Sequence, residues 1–229
     1  MSQPTDERPV FRGELALAIV AVFNSFMMVL LLHSGFGIST VSSAPYTLSR
    51  LFPALSLGTW NYLFQTALVI SLMAVRRRFV PLYLLSFVVG IVFGITMDLH
   101  QEWVALLPQT LPMRVVYLAA SLVGMAFGIS LSNHCKLPII PTDLFPREMT
   151  LILQLPYRTV KTTFDLLCLF FTAGMSLLFF RDLEGLGAGT VLSALFVGSI
   201  VAKFDRFLDR HFQFVSFLEP DRVGSAAEK

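Results

Sequence analysis

One lysine and two carboxylates stand among apolar neighbours, where charged side chains are costly. Asp165 is flanked by Phe164, Leu166 and Leu167, and Lys161 precedes it by four residues. That spacing puts both side chains on one helix face. Ionisable groups at membrane depth mark solute and ion pathways, so the pair can serve as an ionic contact for a solute or as a proton-coupling carboxylate with its counter-charge. It can equally be a static ion pair that anchors the helix. Asn61 and Gln65 are also four apart. They offer amide donors and acceptors to a solute, or helix–helix hydrogen bonds worth ~0.6 kcal/mol each in a bilayer. Asn24 and Ser25 sit mid-stretch and read as helix–helix contacts. Ser39, Ser130 and Asp143 complete the set of candidate solute-binding residues.

Other chemistry has weaker footing. His33, Asp98 and His100 end apolar stretches and contain the residue types of a metal site or a proton relay. Nothing in their spacing brings them together. His134-Cys135 is one adjacent pair, short of the four ligands of a structural zinc site. Cys135 and Cys168 form no disulfide framework. A Gly-Lys-Ser/Thr phosphate loop, H-E-x-x-H, G-x-S-x-G and a TVGYG-type filter are all missing from the sequence, so ATP hydrolysis, the common hydrolytic chemistries and a potassium-channel filter lack support. The expectation is a non-enzyme that needs no cofactor and binds no metal.

The elements that must position these residues follow from composition. The chain has 229 residues, 55% hydrophobic and 14% charged, with a mean hydropathy of +0.71. Soluble domains average about 45–50% apolar and about 25% charged. A water-soluble enzyme, a nucleic-acid binder and a disordered regulator are thereby excluded, and the lipid bilayer becomes the first partner. The net charge of +2 argues for no anionic partner. A helix needs roughly 20 apolar residues to cross a ~30 Å core. Six stretches qualify, at about 15–32, 57–75, 79–97, 115–131, 162–180 and 186–202. The first is too long for a cleaved signal and lacks an A-x-A site after it.

With the N-terminus in the cytoplasm, 14 of the 17 Lys and Arg residues fall on that side, and Arg50, Arg114 and Arg181 on the other. This is the bias that sets orientation, and it puts both termini in the cytoplasm. Beyond the sixth span, Phe204, Phe207, Leu208, Phe212 and Val215 recur at helical intervals. They predict either an amphipathic interfacial helix or an extension of span six.

Three matches recur in order along the chain. Gly35–Ser39 reads GFGIS and Ala126–Ser130 reads AFGIS; Thr59-Trp60-Asn61 resembles Thr163-Phe164-Asp165; Ser86, Gly90 and Gly94 match Ala194, Gly198 and Ala202. Three spans per half is an odd number, so a duplicated second half would be inverted, the plan common among secondary transporters. The small-residue ladders are expected to let helices approach closely. Two connecting segments, Gly35–Ala54 and Asn133–Pro156, are too apolar for free solution and too interrupted to span. The second carries prolines 138, 141, 146 and 156, which are expected to break helical structure, before the helical run Met149–Leu155. Both predict either re-entrant or interface-lying segments entering from opposite faces, or two surface amphipathic loops.

The glycine-serine end of span one, the Pro138-x-x-Pro141-x-Asp143 stretch and the Gly187-x-Gly189-Thr190 entry to span six resemble the YitT/YczE-type family of bacterial integral membrane proteins, over roughly residues 15–205. The resemblance implies a bacterial cytoplasmic (inner) membrane location and a transport role in a largely uncharacterised family. The first half departs from that pattern. It reads Pro45-Tyr46-Thr47 where a Pro-x-Asp stretch would stand.

These readings combine into an all-α integral membrane protein of six spans. The expected divisions are a cytoplasmic segment at 1–13, a first three-helix repeat at 14–98, an external loop at 99–112, a second repeat at 113–205 and a cytoplasmic amphipathic and disordered tail at 206–229. The function expected is a secondary transporter or permease of a small polar or amphipathic metabolite, working by alternating access between the halves. The alternative is a non-transporting accessory of a biosynthetic or export complex. A small-molecule solute, and a second copy or partner protein, are the expected partners.

Overall fold

The computed structural model describes residues 9–77, 79–135, 137, 140–181 and 185–215. Arg8, Arg78, Lys136, Pro138 and the tail from residue 216 onward, with Arg222 and Lys229, lie outside the described residues. The described chain runs β1 (Val10–Arg12), α1 (Gly13–His33), α2 (Thr40–Leu51), α3 (Leu57–Arg76), α4 (Leu82–Val104), α5 (Leu111–His134), α6 (Pro141–Leu153), α7 (Tyr157–Phe179), α8 (Ala188–His211) and β2 (Gln213–Val215). Six helices have 20–24 residues, or about 30–36 Å at 1.5 Å per residue. Four of them, α1, α4, α5 and α7, are long and apolar enough to cross a membrane. α3 carries Asn61 and Gln65 in its buried stripe, and α8 ends among Lys203, Asp205, Arg206, Asp209 and Arg210.

Proline marks helix starts. Pro81 and Pro156 are N-caps, and Pro112 and Pro141 stand in first turns, where the missing N–H costs nothing. Ser56 caps α3 by accepting from the Thr59 N–H at 3.1 Å.

β1 and β2 pair in parallel, so the described N- and C-terminal residues meet at one end of the bundle, called here the near end. α1 runs from it to the far end, where His33 meets the Leu107 carbonyl and Arg114 donates to the Ser34 carbonyl. α5 returns antiparallel beside α1. The Gly128 and Gly124 positions on α5 lie directly against Asn24 and Met27. α4 packs on α1, and α8 packs on α5 in the same sense. α3 packs on α4 through Gly58 and Gly94; a Cβ built on Gly94 would come within 2.8 Å of the Gly58 carbonyl oxygen.

The two short helices cross over. α2 packs on α3 and α7, and α6 packs on α7 and α3. Val41 of α2 and Phe145 of α6 meet one small apolar cluster with Phe64, Leu68, Phe164 and Cys168. From there the helices diverge. α2 leads to the far end, where Phe52 touches Trp60, and α6 leads to the near end, where Glu148 pairs with Arg76.

Several expectations change. The connection expected at 99–112 narrows to 105–110, because α4 continues past Asp98. Asp98 does not end the helix because its oxygens are bonded there, by Ser56 Oγ at 2.5 Å and the Gly58 N–H at 2.7 Å. The prolines of the second connecting segment were expected to break any helix. Instead Pro141 opens α6, and Pro146 stands inside it, as Pro45 does in α2, each sixth in its helix and buried. α8 passes unbroken through 206 to His211, so no separate amphipathic helix begins there. Phe212 and Val215 are extended, because residues 213–215 ladder with Val10–Arg12. GFGIS lies in the connection after α1 while AFGIS lies within α5, so these two stretches do not occupy matching places.

Candidate functional site

The sequence-predicted residues fall into separate places. One lies between α6 and α7. The Lys161 ammonium donates to Asp165 Oδ1 at 2.9 Å and lies 5.7 Å from the Phe164 ring centre. Both side chains are less than a third exposed. Asp143, in the first turn of α6, lies close enough for the charges of Lys161 and Asp165 to act on its carboxyl. Its own N–H bonds the Ile140 carbonyl at 2.9 Å, but its carboxylate has no hydrogen bond or ion pair among the described residues. Asp143 is packed deep in the bundle yet keeps part of its surface accessible. Burial pushes its carboxyl above the usual carboxylate range; Asp165 adds to this and Lys161 opposes it.

A second place lies between α3 and α4. Gln65 Nε2 donates to Asn61 Oδ1 at 3.2 Å, and Asn61 Nδ2 reaches the Met97 sulfur at 3.6 Å. Both amides are almost wholly buried, and Gln65 Oε1 has no partner. It lies over Gly90, whose missing side chain makes room for it.

Ser130 is at neither place. Its hydroxyl donates to Asp205 Oδ1 at 2.5 Å at the near end, beside His134, whose Nε2 lies 3.0 Å from Asp209. Ser39 is the N-cap of α2, and its side chain makes no capping hydrogen bond. Asn24 and Ser25 are buried on α1, with Ser25 turned onto its own helix at the Val22 carbonyl. The His33, Asp98 and His100 set is dispersed. His33 contacts Leu107, Gln109 and Tyr117; Asp98 holds Ser56 and Gly58; His100 accepts from the Trp103 indole at 3.0 Å. Among the described residues no three His, Cys, Asp or Glu side chains gather as a metal would need. Cys135 is a buried thiol donating to the Ser132 carbonyl at 3.0 Å.

Two contacts went unread in the sequence. Glu148 of α6 accepts from Arg76 of α3 and, at 2.6 Å, from the Tyr83 hydroxyl of α4. A lone carboxylate on a short segment facing the only arginine triplet is the signal that could have found it. At the opposite end Ser43 of α2 and Thr172 of α7 hydrogen-bond at 2.8 Å, both fully buried. Hydroxyls scattered through a serine-rich segment carry no comparable signal.

Comparison with known proteins adds one match. The model of a family described as a family of unknown function, DUF6198, matches residues 11–206 of the chain. No curated protein and no solved structure matches it.

Proposed function

We propose, for a chain that belongs to the DUF6198 family, a secondary transporter or permease of a small polar or amphipathic metabolite. On this reading the six long helices all span, with both termini cytoplasmic in a bacterial inner membrane, and the chain forms two inverted halves, α1–α4 and α5–α8. The pairing supports the halves. α1 packs on α4 as α5 does on α8, α2 on α7 as α6 does on α3, and α2 on α3 as α6 does on α7. The corresponding positions stand about 100 residues apart: Pro45 and Pro146 within α2 and α6, Phe64 and Phe164 in the shared cluster, and the pairs Asn61–Gln65 and Lys161–Asp165. The likeness to YitT/YczE-type proteins points the same way.

The single observation that carries the reading is the pair of short helices α2 and α6. They meet one apolar cluster with their N-terminal halves and leave it toward opposite ends, with the Asp143, Lys161 and Asp165 charges at its edge. Interrupted helices that converge inside a bundle are how transporters present backbone and charge to a solute near the midplane. Substrate would then contact Asp143, Lys161 and Asp165 from one half and Asn61 and Gln65 from the other. α6 is tied to α3 and α4 by Glu148 with Arg76 and Tyr83, and α2 is tied to α7 by the weaker Ser43–Thr172 bond.

Reconstituted into liposomes and offered a metabolite panel, the protein should show saturable uptake that falls on Asp165→Asn. A stoichiometric co-purifying partner without uptake of any solute would replace transport with the accessory role. One feature favours that second reading: α7 and α8 scarcely pack together, and Gly174 and Gly198 face open space within the chain.

A further inference from the structure

The Asp143 carboxylate has an unusual lack of partners. An Asp in the first turn of a helix is well placed to accept from that helix's free amides, yet Asp143 accepts from none. Lys161, whose charge acts on Asp143, is bonded to Asp165 at 2.9 Å. Among the described residues, the charged and titratable groups that α3 and α4 turn toward α6 bond α6 itself. Arg76 of α3 and Tyr83 of α4 both bond Glu148 of α6 itself, and the next carboxylate along α7 is Asp165. The remaining charge on α6, Arg147, is exposed. Among the described residues, Asp143, Lys161 and Asp165 therefore make a set of two carboxylates and one ammonium, one negative charge in excess, beside Leu144, Phe145 and Phe164.

We propose that Asp143 is a proton-binding site of this protein, the group that takes up and releases a proton on the near side of the apolar cluster. The step is the addition of one proton to one carboxylate oxygen, from water at the residue's partly exposed side. It removes the excess charge and leaves the Lys161–Asp165 pair as observed. Loss of the proton gives Lys161 two carboxylates to serve and loosens its hold on Asp165. A metal ion is the poorer occupant, since no third acidic, histidine or cysteine side chain joins the set among the described residues. Asp165, the more obvious coupling candidate from its place in a long apolar stretch, is already neutralised by its lysine. Burial favours the neutral acid at Asp143 in the same direction. Use of this proton to drive a solute rests on the transport reading; the proton site itself does not.

Infrared difference spectroscopy of the full-length protein in lipid nanodiscs, titrated through neutral pH without any solute, tests the site directly. The native chain should show the carbonyl stretch of a neutral carboxyl persisting above the pH range of an ordinary aspartate. Asp143→Asn should remove that band and Asp165→Asn should keep it. Two further variants report on the native Asp143 even if Asp143→Asn folds poorly. Lys161→Met should move the band's midpoint up by about 1 pH unit, and Asp165→Asn should move it down, since a close charge shifts a carboxyl by about that much or more. A native band confined to the ordinary aspartate range, or one that survives Asp143→Asn, would overturn the proposal. Because no solute is present, failure here is separate from failure to find uptake.

Discussion

Two ladders of small residues, alike in sequence, should respond in opposite ways to the same substitution. Ser86, Gly90 and Gly94 on α4 are buried, whereas Ala194, Gly198 and Ala202 on α8 are exposed. A Cβ at Gly94 would stand 2.8 Å from the Gly58 carbonyl oxygen and 3.5 Å from the Tyr62 Cβ. A backbone carbonyl cannot swing aside as a side-chain tip can, so α3 and α4 must separate by several tenths of an ångström. Overpacking of this kind costs about 1–3 kcal/mol. The gain in helix propensity from Gly to Ala returns about 1 kcal/mol, which leaves Gly94→Ala destabilised by about 1 kcal/mol. At Gly198 a Cβ meets nothing within 4 Å, so Gly198→Ala keeps the propensity gain of about 1 kcal/mol without the clash. The two variants should differ by about 2 kcal/mol, or roughly 4–8 °C in Tm for a chain of this size. Thermal unfolding of the purified protein in detergent, followed by circular dichroism, reads that difference. A Gly94→Ala variant as stable as Gly198→Ala, both at or above the native Tm, would refute the reasoning, because the α4 glycines would then not be needed for contact. A Gly198→Ala variant as impaired as Gly94→Ala would mean that the α8 face packs against something other than this chain.

Further outcomes follow from the site. The folded-state value of the Asp143 carboxyl lies above its ordinary 3.8, so its contribution to stability is fully present below that value and is lost as pH rises through the folded-state value. Asp143→Asn should therefore be more stable than the native protein at about pH 8, with the gap closing toward about pH 4; a variant less stable at every pH would contradict the burial argument. Glu148→Gln should cost about 2 kcal/mol, since hydrogen bonds to charged groups are worth about 1.5–3 kcal/mol and Arg76 is left without its carboxylate. Tyr83→Phe removes a single bond and should cost less, and chemical or thermal unfolding orders the two. Thr172→Val deletes the Ser43 contact and should cost only ~0.6 kcal/mol, the bilayer average for such bonds; a loss as large as that of Glu148→Gln would make the far end the tighter one.

Much of the architecture was legible in hydropathy because a helix long enough to cross a bilayer must be apolar over most of its length. The six stretches became six long helices, and the two segments set apart as neither loops nor spans became α2 and α6. The failures have local causes. Asp98 and His100 look like the end of a span because charge lowers hydropathy, yet the helix continues because Ser56 and the Gly58 N–H satisfy the carboxylate. Prolines 141 and 146 look like breaks because proline lacks an N–H; one stands in a first turn, where that N–H is not needed, and the other is tolerated in a buried helix. The extended stretch 212–215 was hidden because its partner is 200 residues away in sequence, beyond any local pattern. At the site, Lys161–Asp165 and Asn61–Gln65 were readable from four-residue spacing alone. Their companions Asp143 and Glu148 sit on a separate short helix, and only the packing of α6 against α3 and α7 brings them to their partners.

The contrast between corresponding positions is the strongest argument that the two halves have diverged toward different tasks. Asn61–Gln65 is a neutral pair covered by α4, and Lys161–Asp165 is a charged pair that α8 scarcely approaches. Ser42, which stands at the sixth-residue-proline register of Asp143, is a hydroxyl where the second half has a carboxylate. The far-end contact between α2 and α7 is one hydroxyl–hydroxyl bond, and the near-end contact between α3 and α6 is an arginine–carboxylate pair with a tyrosine added. Of these two short-helix contacts, the one made by α6 is charged and the one made by α2 is neutral. Of the two contacts, Ser43–Thr172 is a neutral bond worth ~0.6 kcal/mol, whereas Arg76–Glu148 is a charged contact worth about 1.5–3 kcal/mol. A double-mutant cycle on Ser43 with Thr172, and another on Arg76 with Glu148, should return coupling energies in that order. Coupling at Ser43–Thr172 equal to or above that at Arg76–Glu148 would remove the basis for treating the two short-helix contacts as unequal.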